Sequence, residues 1–198
     1  MSPALYLAST SPYRAAQLAR LGRPFLVEAP QVDESSVAGE TPAARALRLA
    51  HAKALAVSSR HPEAWVLGSD QVADCAGRIH DKPGDASRCR EQLHASSGRA
   101  VQFHTAVVLR RGRPDSVSEH LDRTVVHFRP LAADEIARYV ARDQPFDCAG
   151  GFRCEGLGVA LFQAVETLDP SALVGLPLIW VANALREAGL DPLAPIQA

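Results

Sequence analysis

Apolar positions in this chain come in short runs broken by polar corners, and the spacing within each run predicts its element. Residues 4–8 form an apolar run that meets Ser9-Thr10-Ser11 and then Pro12, predicting a buried strand followed by a helix. That helix carries Leu18 and Leu21 and stops at Gly22. Thr41-Pro42 supplies a cap and a first-turn proline, after which Ala46, Leu47, Ala50, Ala54 and Val57 share one face at helical spacing, with Lys53 bordering the stripe. The run "AWVLGSDQVAD" reads as a strand that turns polar at its end, "CAG" as a turn, and residues 85–96 as a helix. "AVQFHTAVVL" and "SVSEHLDRTVVHF" flank the basic turn "RRGRP" as two long hairpin strands. Residues 131–142 predict a helix with Asp134 and Glu135 in its first turn, where acidic groups suit the helix dipole. Beyond a glycine-rich stretch, "VALFQAVETL" reads as a strand, and the closing helical segment is interrupted at "GLP". No repeat or linker divides the pattern, so residues 1–198 are expected to form a single α/β domain around a sheet.

Composition narrows the function. With 47% hydrophobic residues over 198 positions, the chain can build a substantial core. Its 21 basic and 22 acidic residues leave a net charge of -1, giving no global field for a nucleic-acid polymer or an anionic membrane, so an anionic ligand must be met locally. Neither a signal-peptide pattern nor a membrane-length apolar run is visible, and a cytoplasmic location is expected. Cys75, Cys89, Cys148 and Cys154 lack metal spacing and are expected to be reduced thiols; none of the seven histidines receives a catalytic role.

Four places could carry chemistry. The hydroxyls after the first strand, the N–H groups of a helix start and Arg14 together suit a phosphate, although an ordinary cap would look the same. Asp70 follows the apolar run Val66-Leu67-Gly68, which puts a carboxylate at the carboxyl end of a strand, where open α/β sheets build their sites; a turn-forming aspartate is the plain alternative. Lys53 and Lys82 are the only lysines, and a compact ammonium suits a single phosphate oxygen, but two surface lysines would read alike. Asp33-Glu34, in a polar connection, could help hold a hard divalent cation or be a solvated turn.

Taken in order, "LYLASTSPYR", "VLGSDQVAD" with "DKP", "SGRAVQFHTAVVL", "DCAGGFRCEG" and "LVGLPL" resemble the Maf family of nucleotide pyrophosphatases over residues 4–189. The resemblance implies an α/β fold of the inosine-triphosphate-pyrophosphatase-like type: a long twisted mixed sheet flanked by helices, with a cleft between two lobes. It also implies hydrolysis of a nucleoside triphosphate to monophosphate and pyrophosphate with Mg²⁺ or Mn²⁺, and it allows a homodimer. Carried over by position, Asp70 matches the catalytic aspartate, Lys53 and Lys82 the phosphate-handling lysines, Glu34 the acidic partner near the metal, and Ser9 and Arg14 the first phosphate-binding turn. Tyr13 after Pro12, Gln71 after Asp70 and Glu155 before Gly156 are similar to the subgroup acting on 7-methylguanosine triphosphate, whereas thymidine and uridine triphosphates go with the commoner pattern. The chemistry agrees, since a cationic methylated guanine favours the aromatic face of Tyr13 and a carboxylate such as Glu155 accepts from guanine's N1 and N2 donors. Cys148 stands where the commoner pattern has lysine, and Arg153 is a candidate to replace that charge. Two rivals remain at this stage, a phosphatase with an aspartyl nucleophile and a non-catalytic nucleotide-binding regulator of cell division.

Overall fold

The computed structural model describes residues 3–195. Its strands are β1 (Leu5–Ala8), β2 (Leu26–Glu28), β3 (Trp65–Cys75), β4 (Arg78–Ile79), β5 (Ala100–Arg111), β6 (Ser116–Phe128) and β7 (Phe162–Glu166). The α-helices are α1 (Pro12–Ala19), α2 (Pro42–Ser58), α3 (Ala86–Ser96), α4 (Ala133–Asp143) and α5 (Leu178–Glu187). The strands form one mixed sheet in the order β2-β1-β3-β5-β6-β7, with β4 paired to β3. β1 runs parallel to β2 and β3, while β4 and β7 lie antiparallel to β3 and β6. The fold is α/β, as the alternation of periods predicted.

Two compact units divide the chain. The first holds the residues up to Asp70, Thr105–Asp122 and those from Asp169 on; the second holds Gln71–His104 and Arg123–Leu168.

In the first unit, the period of two along β1 and β3 sorts side chains to opposite faces. Leu5, Leu7, Trp65 and Leu67 point into a core with Leu18 of α1 and Val181 and Leu185 of α5. Ala8 and Val66 point the other way, onto Val57 of α2. Gly68 lies on that second face, where an added Cβ would stand 2.5 Å from the Ala50 carbonyl oxygen and 2.6 Å from the Ala54 nitrogen. A strand glycine here lets helix backbone and strand backbone touch.

Local signals set the helix starts. Ser11 caps α1 by accepting from Arg14 N, and Thr41 caps α2 by accepting from Ala44 N, each with a proline next in the chain. The break expected at "GLP" falls between a 3-10 turn at Ala172–Val174 and α5. There the buried Asp169 accepts from Ser171 N at 2.9 Å and from Ile179 N at 2.7 Å, tying the start of α5 to the loop before it.

The second unit has an aromatic core. Phe103, Phe128, Phe152 and Phe162 meet edge to face, with centroids 4.8 to 5.6 Å apart. Ile136, Tyr139 and Val140 of α4 are buried, as are Cys89 and Leu93 of α3.

Candidate active site in the first unit

Period-two geometry decides where Asp70 points. Val66, Gly68 and Asp70 share the face of β3 that packs on α2, and Gly68 removes the side chain that would hold the helix away. Pairing with β1 ends at Ala8 opposite Gly68, so Asp70 lies just past the end of that neighbour. The expected place for Asp70, at the carboxyl end of its strand, needs correction: β3 continues to Cys75, and Asp70 is internal to it. Ser69 and Asp70 mimic a strand end because their partners are remote. Ser69 Oγ lies 2.8 Å from both the Ala106 and Gly175 carbonyl oxygens, and its single proton can go to either.

α2 brings Lys53 to the same place. The buried stripe of α2 runs Ala46, Leu49, Ala50, Lys53, Ala54, Val57, so Lys53 is a member of it and does not merely border it; Leu49 also takes the inward position that the spacing gave to Leu47. The reading of Lys53 as a surface residue is therefore excluded, since only 7% of its side chain is exposed. A buried ammonium needs anionic partners, and Lys53 has two. Its Nζ stands 2.7 Å from Asp70 Oδ1 and 2.7 Å from Glu34 Oε1. Asp70 is nearly closed off, whereas Glu34, at 54% exposure, reaches in from the surface.

The phosphate-type corner lies on the same unit. Ser9 is buried, and its Oγ accepts from Ser11 N at 3.0 Å. Arg14, in the first turn of α1, donates from Nε to the Gly175 carbonyl oxygen at 3.2 Å. Gly175 has φ +127°, and a Cβ there would stand 3.1 Å from Arg14 Nε, so glycine serves both the turn and the guanidinium. Burial lowers the affinity of Arg14 for its proton, while the charges of Asp70 and Glu34 act in the opposite direction. The guanidinium thus lies in the field of both carboxylates. Tyr13, also in α1, is half-buried.

The remaining predicted residues belong to the second unit. Gln71 follows Asp70 in β3 and is half-buried. Lys82 is exposed, on a loop held by Gln92 Nε2 donating to the Asp81 carbonyl oxygen at 2.8 Å and by Gly84 N donating to that of Phe146 at 2.9 Å. Glu155 is exposed on a tight turn in which Gly158 N donates to the Arg153 carbonyl oxygen at 3.0 Å, and Cys154 Sγ lies 3.2 Å from Glu155 Oε2. Arg153 Nη2 is 3.4 Å from Asp147 Oδ1, and Arg153 also hydrogen-bonds the Cys148 thiol. All four cysteines are free thiols, as their spacing predicted, and burial pushes Cys148 up to about 11 and Cys89 and Cys154 up to about 12.

Among the described residues, no group of three or more His, Cys, Asp or Glu side chains is placed to hold a metal ion. Mg²⁺ commonly binds through one or two carboxylates, with phosphate oxygens from a substrate completing its shell. Asp70 and Glu34, converging on one ammonium, fit that second arrangement and not a resident all-protein centre.

Sequence reasoning passed over Gly68, Ser69, Gly175, Glu40 and Arg48. A glycine inside an apolar strand is a recognisable sign of close backbone approach, so Gly68 was findable. Ser69 and Gly175 act through contacts more than a hundred residues apart, and Glu40 and Arg48 pair across eight residues between a loop and α2, where no helical or strand period applies.

Within an α/β fold, then, a lysine stands between two carboxylates, with the arginine of a helix start in their field. The family model described as Maf-like protein matches residues 4–188, and the chain belongs to that family. A relative named 7-methyl-GTP pyrophosphatase from Xanthomonas campestris pv. campestris (strain 8004) is 53% identical over 191 residues, covering 96% of this chain and 99% of the relative. Relatives of the same name from Thiobacillus denitrificans and Bordetella avium are 48% and 46% identical, each over 97% of this chain and 96% of their own length. Among solved structures, the Staphylococcus aureus Ham1 protein aligns with a TM-score of 0.46 at 15% identity, covering 78% of this chain and 88% of that one.

Proposed function

We propose that this protein is a nucleoside triphosphate pyrophosphatase whose substrate is 7-methyl-GTP, cleaved to 7-methyl-GMP and pyrophosphate. The observation that carries the reading is the single ammonium of Lys53 held 2.7 Å from two carboxylates, within the field of Arg14. Names shared by relatives at about half identity over nearly the whole chain support the substrate.

In this reaction water adds to the α-phosphorus, the bond from that phosphorus to the α,β-bridging oxygen breaks, and pyrophosphate departs with the electron pair. Asp70 orients the water and takes its proton. Lys53 fixes the two carboxylates and offers positive charge to the phosphates. Ser9, the start of α1 and Arg14 receive phosphate oxygens; Arg14 has five N–H donors, and its Nε is anchored on Gly175. Asp70 and Glu34 would also hold Mg²⁺ or Mn²⁺ jointly with the substrate's phosphates, and the ion would supply Lewis-acid polarisation and a more acidic water. Lys82 is assigned to phosphate, and Tyr13, Gln71 and Glu155 to the base, on the sequence resemblance and the chemistry of their side chains.

The test is a panel of 7-methyl-GTP, GTP, dTTP and UTP with Mg²⁺ or Mn²⁺, scored for pyrophosphate and orthophosphate. The highest kcat/KM should fall on 7-methyl-GTP, with one pyrophosphate released per monophosphate. Orthophosphate as the first product, binding without turnover, or a preference for dTTP would each overturn the reading.

A further inference from the structure

Glu34 poses a positional problem. It sits in an irregular connection between β2 and α2, its side chain is half exposed, and yet its carboxylate lies on Lys53 Nζ. Side-chain entropy would disperse such a residue unless its backbone were fixed. Three cations along α2 provide the fixing. Arg45 Nη2 approaches the Glu34 carbonyl oxygen at 3.5 Å, and Arg48 Nη2 donates to the Ser35 carbonyl oxygen at 3.1 Å. Lys53 takes the Glu34 side chain itself.

Arg48 is the strongest of these anchors. Its Nε and Nη2 meet Glu40 Oε1 and Oε2 at 2.6 and 2.8 Å, a two-pronged grip that orients the guanidinium. Glu40 is 10% exposed and is held by Arg48 well below its ordinary carboxylate range, so the pair persists into mildly acidic solution. The oriented Arg48 then reaches Ser35, whose N–H and hydroxyl both donate to Asp33 Oδ1, at 2.9 and 2.5 Å. Glu34 lies between those two residues, so its backbone is held on both sides.

We propose that Arg48, clamped by Glu40, is a positioning residue for the reaction: by holding the Asp33–Ser35 turn against α2 it delivers the Glu34 carboxylate to Lys53 and Asp70. The proposal rests on the role given to Glu34 above. Lysine cannot reproduce a two-pronged grip, so Arg48→Lys keeps the charge and loses the clamp.

The experiment is a double-mutant cycle on kcat/KM with Arg48→Lys and Glu34→Gln, with thermal unfolding of all four proteins. Arg48→Lys should lower kcat/KM by about 10–100-fold, as is usual when a supporting partner of a site residue is lost. In the Glu34→Gln background the same change should have little further effect, because there is no carboxylate left to deliver. A purely structural Arg48 would instead produce the same fold-loss in both backgrounds, tracking the shift in Tm. Full activity of Glu34→Gln alone would remove the role of Glu34 and with it the purpose of the clamp. An impaired Glu34→Gln with a silent or purely multiplicative Arg48→Lys would overturn the clamp and leave the role of Glu34 standing.

Discussion

Lys53 shows how one residue joins stability to chemistry. A buried ammonium is costly alone and becomes tolerable through Asp70, which shares its enclosure; the half-exposed Glu34 adds less, because water screens it. Lys53→Met keeps most of the side-chain volume but leaves the enclosed Asp70 without its ion-pair partner and with only the field of Arg14. Unfolding in urea should show a loss of about 3–5 kcal/mol, the usual cost of removing one partner of a buried pair. Adding Asp70→Asn should recover part of it, since the uncompensated charge is then gone. An unchanged midpoint for Lys53→Met would mean that Asp70 is satisfied without the lysine. The chemical types at this site were legible in the sequence, because two lysines in an arginine-rich chain and an acid after an apolar run are visible as letters. Their partners were not. Asp70 met Lys53 seventeen residues away, and Arg14 found its carbonyl partner 161 residues away, through packing that no local pattern encodes.

At the scale of elements, the site depends on how closely α2 lies on β3. Gly68→Ala would drive a methyl group into the backbone of α2 at Ala50 and Ala54, where no flexible side chain can move aside. Overpacking of this kind costs about 1–3 kcal/mol and displaces the helix that carries Lys53. Tm and kcat should therefore fall together in this variant. A Gly68→Ala protein as stable and as active as the wild type would show that the contact between helix and strand does not set the site. Helix starts were readable because Ser11, Thr41 and Asp85 cap within three residues of themselves. The end of β3 was misread because the hydroxyl of Ser69, which looks like a turn signal, is satisfied by carbonyls from Ala106 and Gly175. The inward turn of Lys53 was missed for a similar reason: helical spacing shows which residues share a face but not whether a carboxylate waits opposite.

For the whole molecule, the chain passes between the two compact units within β3, β5 and β6 and once more in the short connection after β7, and composition marks none of these crossings as a linker. Six of the predicted site residues, Ser9, Tyr13, Arg14, Glu34, Lys53 and Asp70, fall in the first unit. Lys82, Gln71 and Glu155 fall in the second. A net charge of -1 gives the chain no global field, and among the described residues no helix is long and apolar enough to cross a membrane. The proposed activity thus rests on a local concentration of charge around one carboxylate. The most direct test is the turnover of Asp70→Asn, which keeps the shape of the side chain and removes its charge. With 7-methyl-GTP and a divalent cation, kcat for pyrophosphate release should fall by at least about 100-fold while cooperative unfolding is retained. A folded Asp70→Asn protein releasing pyrophosphate at the wild-type rate would contradict the account.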